Sequence, residues 1–387
     1  MKVLFLVSCP KDFGGFFRAT YIARTLAKQN HQVTVLFHAK VFRLGIARSR
    51  TAENCNLVEL PKFSNGYLTK LLHIPFVLLW VMLHRTDVVH VFTPVHPENF
   101  LTVLLCRLLR RKCVVDWDDL WVDSPSYHGG SRLVKAYLRW VEPLAPRLAS
   151  GVTAASHFLE QEAKRIGCRL IHRIPNGVWK EQFDLCPRGD ARRVLGIPED
   201  ALVALAFGNT YMQGRGGMLL ECMTRLLQER SDAVALFNLD PSVVWRDERP
   251  GQPSPSFDGI RFVGQIPQKE LGTYLGAADF AVFLSFNRLS EQATYPTRIG
   301  SYLNGECPIA TNLNPTEVCH VVQEYGCGVV GSSPTEVAKL MWETFRDAQK
   351  MSTMRDGARR AKAVLDYDAL MDGLVSFYET VTAVARR

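Results

Sequence analysis

No run of apolar residues in this 387-residue chain is long enough to cross a bilayer as a helix, which takes about 20 residues. The longest candidate, Leu71 to Leu83, is interrupted by Pro75. The ten cysteines form no Cys-x-x-Cys pair and have no histidines at zinc-ligand spacing, which excludes the common structural zinc sites. Several sit inside predicted strands and helices, where a reduced thiol behaves as a small apolar group. The basic stretches contain no nucleic-acid reading motif, so no nucleic acid partner is expected. There is no solenoid-scale repeat. The apolar start Met1 to Ser8 is short and runs into Cys-Pro-Lys-Asp-Phe-Gly-Gly, which fits a strand feeding a glycine loop better than a signal peptide.

Apolar residues make up 47% of the chain and charged residues 22%, a globular balance, and the length favours two domains over one. A formal charge of +8 points to an anionic partner, such as a membrane surface or a phosphorylated substrate. Basic residues crowd the first half, with Arg107, Arg110, Arg111 and Lys112 followed by Lys135, Arg139 and Arg147. The run Leu71 to Leu83 has two readings: a buried core helix, or a face dipping into a membrane interface beside that basic patch.

Short branched apolar runs alternate with amphipathic stretches. Val3 to Ser8, Gln32 to His38, Val88 to Phe92, Cys113 to Asp116 and Gly151 to Ala155 read as strands. Phe16 to Gln29, Asn99 to Leu109 and Leu133 to Leu148 read as helices, the last expected to kink or split at Pro143 and Pro146. This alternation predicts an α/β fold with a doubly wound parallel sheet. The pattern pauses at Cys186-Pro-Arg-Gly-Asp and resumes with strands at Leu202 to Phe207, Ala233 to Asn238, Ile260 to Val263, Phe280 to Leu284 and Ile309 to Thr311. Two Rossmann-like domains are therefore expected, residues 1–185 and 186–365. Arg249-Pro-Gly-Gln-Pro-Ser-Pro-Ser reads as a surface loop.

Doubly wound sheets bind ligands beyond the carboxyl ends of their strands, so the loops there are the candidate sites. Gly14-Gly15 joins the first strand to the first helix, where positive φ is cheap and helix N–H groups attract an anion; a routine turn is the plainer alternative. Gly208 to Gly217 follows the first strand of the second half and places Arg215 and Gly216 at a helix start, where a guanidinium can clamp a diphosphate. Arg298 stands at the equivalent end of a later strand, at the start of a helix containing Ser301 and Tyr302. Two anion sites in one half then converge.

Together these pieces resemble the retaining glycosyltransferases of the GT-B fold, most closely the large family 4. The resemblance runs over nearly the whole chain. It rests on Gly14-Gly15 with Arg18, Leu26-Ala27, His31-Gln-Val-Thr-Val, Asp87-Val-Val-His90, Asp119-Leu-Trp121, Ser156 and Ile174-Pro-Asn-Gly-Val178 with Phe183. In the second half it rests on Gly264, Leu271, Tyr274-Leu275 and Ala278-Asp279, then Pro296-x-Arg298 and Tyr302-Leu303-x-Gly305-x-x-Pro308.

The resemblance implies two Rossmann-like domains facing each other across a cleft, with the helix Asp366 to Ala383 (segment 366–387) returning to the first. It implies a metal-independent, hexosyl-type transfer from a nucleotide-sugar donor to a glycan or lipid-linked acceptor, with retained anomeric configuration, in surface polysaccharide or glycolipid synthesis. No cofactor is implied, the nucleotide-sugar being a substrate. The protein would be cytoplasmic, peripheral on an anionic inner membrane face. Donor contacts would come from Gly14, Gly15, Asn209, Arg215, Gly216, Arg298, Ser301 and Tyr302. Asp118, Asp119 and His96 are the catalytic candidates. Asp118 lies where many relatives carry a histidine, and Asp116, Asp119 and Asp123 crowd it. The cluster could position an acceptor or raise one carboxyl pKa by repulsion; capping and turn work is the alternative for each member, as a structural role is for His90 and His96.

The chain also departs from the family pattern. Ser301 and Ala293 stand where paired glutamates are usual, with Glu291 two residues away; Asn209 replaces an arginine and Trp179 an aspartate. Losing a bidentate ribose contact costs on the order of a few kcal/mol in binding. A non-catalytic GT-B partner of an active enzyme is therefore an alternative, and a nucleotide-sugar epimerase on the same fold is a further one.

Overall fold

The computed structural model describes residues 1–384 except 12, 63–66, 124–130, 209–214, 249–250, 252–256 and 258. Asn209 and most of the 249–256 loop thus lie outside the described residues. The chain divides into two compact units, Met1–Asn176 with Ala293–Thr297 and Tyr367–Arg387, and Gly177–Gln292 with Arg298–Asp366. The division falls at 176/177 rather than 185/186. Residues 177–184 pack within the second unit, where Val178 N–H donates to Leu365 O at 2.7 Å. Any side chain at Gly272 would collide with the Asp184 carbonyl, 1.9 Å from the would-be Cβ.

The first unit is built on β1 (Lys2–Val7), β2 (Gln32–His38), β3 (Ala47–Arg50), β4 (Asn56–Leu60), β5 (Val88–Phe92), β6 (Cys113–Trp117), β7 (Gly151–Ala154) and β8 (Ile171–Arg173). They form one sheet in the order β3-β4-β2-β1-β5-β6-β7-β8, parallel except for β3 against β4. Val3 pairs with Val33 on one side and Val88 on the other, so the chain leaves β1 in both directions and the switch point lies between β1 and β5. Every residue of β5 and β6 is buried, as expected for strands covered on both faces.

Helix α1 (Gly14–Lys28) buries Phe16, Ala19, Ile22, Ala23 and Leu26, an i, i+3, i+4 stripe facing the sheet. Helices α2 (Tyr67–Leu83) and α3 (Pro97–Leu108) pack side by side, and α2 passes through Pro75. The run Leu71 to Leu83 is divided between two faces, since Val77 and Val81 are core while Leu72, Leu79 and Leu83 are exposed. The helix Arg132–Leu148 is not split by Pro143 and Pro146. A proline inside a helix costs about 3 kcal/mol, but Val141 and Ala145, both wholly buried, pack with Phe100 in a shared cluster that outweighs it. The helix Tyr367–Ala383 belongs to this unit.

The second unit has β9 (Val203–Ala206), β10 (Val234–Phe237), β11 (Ile260–Phe262), β12 (Phe280–Phe283), β13 (Ile309–Asn312) and β14 (Gly328–Gly331), ordered β11-β10-β9-β12-β13-β14 and parallel throughout. Its switch point lies between β9 and β12. The helices Gly216–Glu229 and Pro334–Phe345 cover the core built on Leu219, Met223 and Met341. Among the described residues no helix is long and apolar enough to cross a membrane.

Candidate functional site

In the second unit the carboxyl ends of β9 and β12 meet a cluster of charge. β12 ends on Phe283, and two guanidinium groups lie over its ring, Arg215 with Cζ 5.0 Å and Arg298 with Cζ 5.2 Å from the centroid. Arg215 is delivered by the turn into the helix Gly216–Glu229, and Arg298 opens the helix Arg298–Asn304. Arg298 Nη1 donates to Phe207 O at 3.0 Å, just beyond β9. Gly208 must be glycine there, since its φ is +103° and a Cβ would sit 2.8 Å from Arg298 Cζ.

The two arginines are neutralised unequally. Arg215 is buried and its Nε and Nη2 lie 3.3 and 3.2 Å from Glu291 Oε2, which also accepts from Phe286 N–H at 2.8 Å. Arg298 is half-buried and pairs with no carboxylate among the described residues. Burial lowers the pKa of Arg215, Glu291 opposes that, and Arg298 adds like-charge repulsion. The site thus holds two cations, one anion and a helix N-terminus, a net positive charge for which an anion is the natural partner. Tyr302 packs edge-on against Phe207, and burial pushes its hydroxyl up to about 12. Ser301 Oγ donates to Gln182 Oε1 at 3.1 Å.

In the first unit the carboxyl edge of β1 and β6 gathers Gly15 and Asp118: a Cβ on Gly15 would lie 3.9 Å from Asp118 Oδ2 and 3.5 Å from Cys9 Sγ. Gly14 and Gly15 form the first turn of α1, in the unit that holds Asp118. Beneath them runs a buried polar network. Arg18 grips Asp116 through Nε–Oδ2 (2.8 Å) and Nη2–Oδ1 (2.9 Å), and also donates to Ile174 O and Asn176 Oδ1. Thr153 Oγ1 donates to Asp116 at 2.6 Å, and His90 bridges Thr153 and the Tyr378 hydroxyl. Burial pushes His90 down to about 4, so it is a neutral core histidine.

Asp118 differs from its neighbours. Its Oδ1 is sealed from solvent and has no hydrogen-bond partner among the described residues. Burial, with Asp116 and Asp119 nearby, raises its pKa to about 8. Asp119 is occupied in turn work, accepting from Thr294 Oγ1 at 2.5 Å and Leu120 N–H at 3.2 Å. His96 starts α3, its carbonyl accepting from Asn99 and Phe100 N–H, with its ring centroid 6.5 Å from that of Trp121.

Three contributors escape sequence reasoning. Phe283 reads only as the end of an apolar strand. Glu291 reads as a displaced member of a glutamate pair, and only the fold turns it onto Arg215. Glu142, inside an otherwise apolar and basic helix, accepts from Trp121 N–H (2.7 Å) and Val122 N–H (2.8 Å) and so anchors the turn carrying Asp118 and Asp119; burial raises its pKa to about 7.

Residues 14–177, which hold Gly15, Arg18, Asp116 and Asp118, match the model of the glycosyl transferase 4-like domain. The similarity to that family is therefore carried by the first unit. TuaC of Bacillus subtilis (strain 168), named as a teichuronic acid biosynthesis glycosyltransferase, is 26% identical over 141 residues, 36% of this chain and 33% of TuaC. The match therefore spans about a third of that relative. Sucrose-phosphate synthase from Thermosynechococcus elongatus has a TM-score of 0.74 at 16% identity, with 100% of both chains covered. Anabaena HepE, solved with UDP and glucose, has a TM-score of 0.71 at 18% identity, covering 98% of this chain and 100% of HepE. These likenesses establish the fold of this chain as GT-B.

Proposed function

We propose that this protein transfers a sugar from a nucleoside diphosphate sugar to a glycan or lipid-linked acceptor in surface polysaccharide or glycolipid synthesis. The observation that carries the reading is the pair of guanidinium groups over Phe283, of which, among the described residues, only Arg215 faces a carboxylate. A diphosphate between them would meet the charge that Glu291 leaves uncompensated. As the bond from sugar C1 to the phosphate oxygen breaks, negative charge grows on the leaving diphosphate, where preorganised donors act most strongly. A bond from C1 to the acceptor oxygen forms on the same face, the anomeric configuration is kept, and the acceptor proton passes to the leaving phosphate. The reaction runs without a metal ion, with a hexose as the sugar moved.

The acceptor hydroxyl is assigned to the first unit, with Asp118 as the group that orients it. A carboxyl that keeps its proton near neutral pH can donate a hydrogen bond as well as accept one. HepE's complex with UDP and glucose supports a uridine nucleotide as the first probe, and TuaC's name supports a cell-surface polymer as product. The protein acts as a peripheral partner of an anionic membrane.

A thermal-shift screen of nucleotides and nucleotide sugars, followed by NMR of any glycoside formed, tests this. Stabilisation by a uridine diphosphate sugar and an axial or equatorial product matching the donor are expected. A folded chain that no nucleotide stabilises would overturn the reading, and turnover that chelator abolishes would overturn metal independence. One contact favours a second reading, a non-catalytic GT-B partner: Ser301 is engaged with Gln182 where relatives place a ribose-binding carboxylate. Nucleotide binding without transfer or hydrolysis, together with co-purification of a second glycosyltransferase, would select it.

A further inference from the structure

We infer that the second unit carries another anion site, for a phosphate group that is free or borne by a small molecule, at the amino ends of β9 and β12. A cavity of about 370 Å³ lies there, with Arg188, Asp279, Phe345, Met351, Ser352 and Arg355 in its lining. That volume is in the range of small-molecule pockets. Asp279 directly precedes β12 and accepts from the N–H of Val203, the first residue of β9, at 2.9 Å. The Arg215–Arg298 pair sits at the carboxyl ends of the same two strands. Four residues of strand span about 13 Å, so the two sites are distinct.

Close packing delivers the arginines to this edge. A Cβ on Gly276 would lie 2.1 Å from Cys186 O, so the chain leading into Arg188 presses on the helix Leu271–Ala277. A Cβ on Gly357 would lie 2.5 Å from Tyr325 O, which seats the helix Ala348–Val364 and Arg355 with it. Buried Asp279 is the hub. Arg188 and Arg355 both donate to its Oδ1, Arg355 at 3.2 Å, and Arg192 donates to its Oδ2 at 2.9 Å.

Three guanidinium groups thus share one carboxylate, an excess of two positive charges. Arg192 is fully engaged, since it is buried and also donates to the carbonyls of Ala277, Pro198, Glu199 and Ala201. Arg188 and Arg355 have donors to spare. Each side chain is 35% exposed, and among the described residues Asp279 is the one anionic partner of each. Arg359, also in the lining, adds nothing to the excess, because it and Lys362 pair with Glu306 and Asp356. Burial lowers the pKa of Arg192, Asp279 opposes that, and Arg188 and Arg355 add like-charge repulsion.

A phosphate group suits this arrangement in charge and shape. It carries about two negative charges near neutral pH, which matches the excess. Arg188 and Arg355 share one acceptor oxygen, so the bonding nitrogens lie within about 6 Å of each other, a gap that one tetrahedral anion bridges. Phe345 and Met351 offer an apolar wall to the organic part of an ester, and Ser352 a hydroxyl. The inference does not depend on sugar transfer, since it uses none of the residues assigned to donor or acceptor.

Calorimetric titration of the full chain with inorganic phosphate, glucose 6-phosphate and glucose tests it, in wild type and in Arg298→Ala, which weakens the other anion site. At least one of the two phosphates should bind in both backgrounds, and glucose should not. Equal affinity for the two phosphates would identify the free ion as the ligand, and tighter binding of the ester a phosphorylated metabolite; either result supports the site. Arg188→Gln and Arg355→Gln should each weaken phosphate binding about tenfold or more, with Arg355→Lys recovering part. Should the glutamine variants lose melting temperature, exposed Ser352→Glu serves instead: it leaves the arginines intact and should weaken binding by placing a carboxylate in the lining. No binding of either phosphate by wild type, loss of binding in Arg298→Ala, or folded Arg355→Gln and Ser352→Glu variants that bind like wild type would each overturn it. Failure of wild type to bind UDP would strike the proposed function alone.

Discussion

Replacing Arg298 with Ala should weaken nucleotide binding while leaving the empty protein as stable as before. The two ring distances bound the separation of the Arg215 and Arg298 guanidinium carbons at no more than about 10 Å. At an effective dielectric of about 20, unit charges that close repel by roughly 1.6 kcal/mol or more, and the partial exposure of Arg298 reduces this. Removing Arg298 relieves that repulsion and forfeits its hydrogen bond to Phe207 O, worth about 1 kcal/mol net, so the two changes nearly cancel. Binding has no such cancellation. A charge-assisted contact to a diphosphate contributes about 1.5 to 3 kcal/mol, so the Kd for UDP should rise about 10- to 150-fold. Isothermal titration calorimetry with UDP, alongside thermal melts without nucleotide, measures both. Arg298→Lys should recover part of the affinity, because it keeps the charge and loses the fork. An unchanged Kd would refute the assignment of Arg298 to the anion site, and a melting temperature that collapses with the affinity would make it a structural residue.

Glu291→Gln should act in the opposite sense: breaking the buried pair with Arg215 costs about 3 to 5 kcal/mol of stability, UDP affinity should hold or improve, and added UDP should restore much of the lost melting temperature. Asp118 predicts a pH dependence. With its folded pKa raised to about 8, the native state holds a proton that the unfolded chain releases near pH 4, so stability should fall as pH rises from 4 to 8, by up to about 1.4 kcal/mol per unit; Asp118→Asn should flatten that slope in denaturant titrations, and an identical slope would remove the buried acid. Asp116→Asn leaves Arg18 charged in the core without its bidentate partner, and a loss of about 3 to 5 kcal/mol is expected from denaturant midpoints.

Much of the fold was legible because parallel strands buried on both faces read as uninterrupted branched runs. Val88–Phe92 and Phe280–Phe283 show this, and both were located to within about a residue. Boundaries set by packing were less legible. Residues 177–184 belong with the second unit because backbone hydrogen bonds and tight glycine contacts hold them there, which no local pattern announces. Pro143 and Pro146 predicted a break that burial of their neighbours overrides. The apolar residues of the 40–46 loop carry no strand or helix period, so only their exposure in the folded unit sets them apart.

The sequence by itself determined the alternation of strand and helix, the two-sheet architecture, the excess of positive charge and the two arginines that follow strand ends, all of which depend on local periodicity and residue chemistry. Tertiary structure decided what those residues do. Arg215 and Arg298 are 83 positions apart in the chain and meet only because β9 and β12 are neighbours at a switch point. Among the described residues Arg215 is neutralised and Arg298 is not, because the fold turns Glu291 toward the first. Of four crowded aspartates, Asp116 became an ion-pair anchor, Asp119 a turn acceptor and Asp118 a carboxyl with a raised pKa. Charge and proton affinity are fixed by burial and neighbours across the fold, and a linear pattern does not contain those distances.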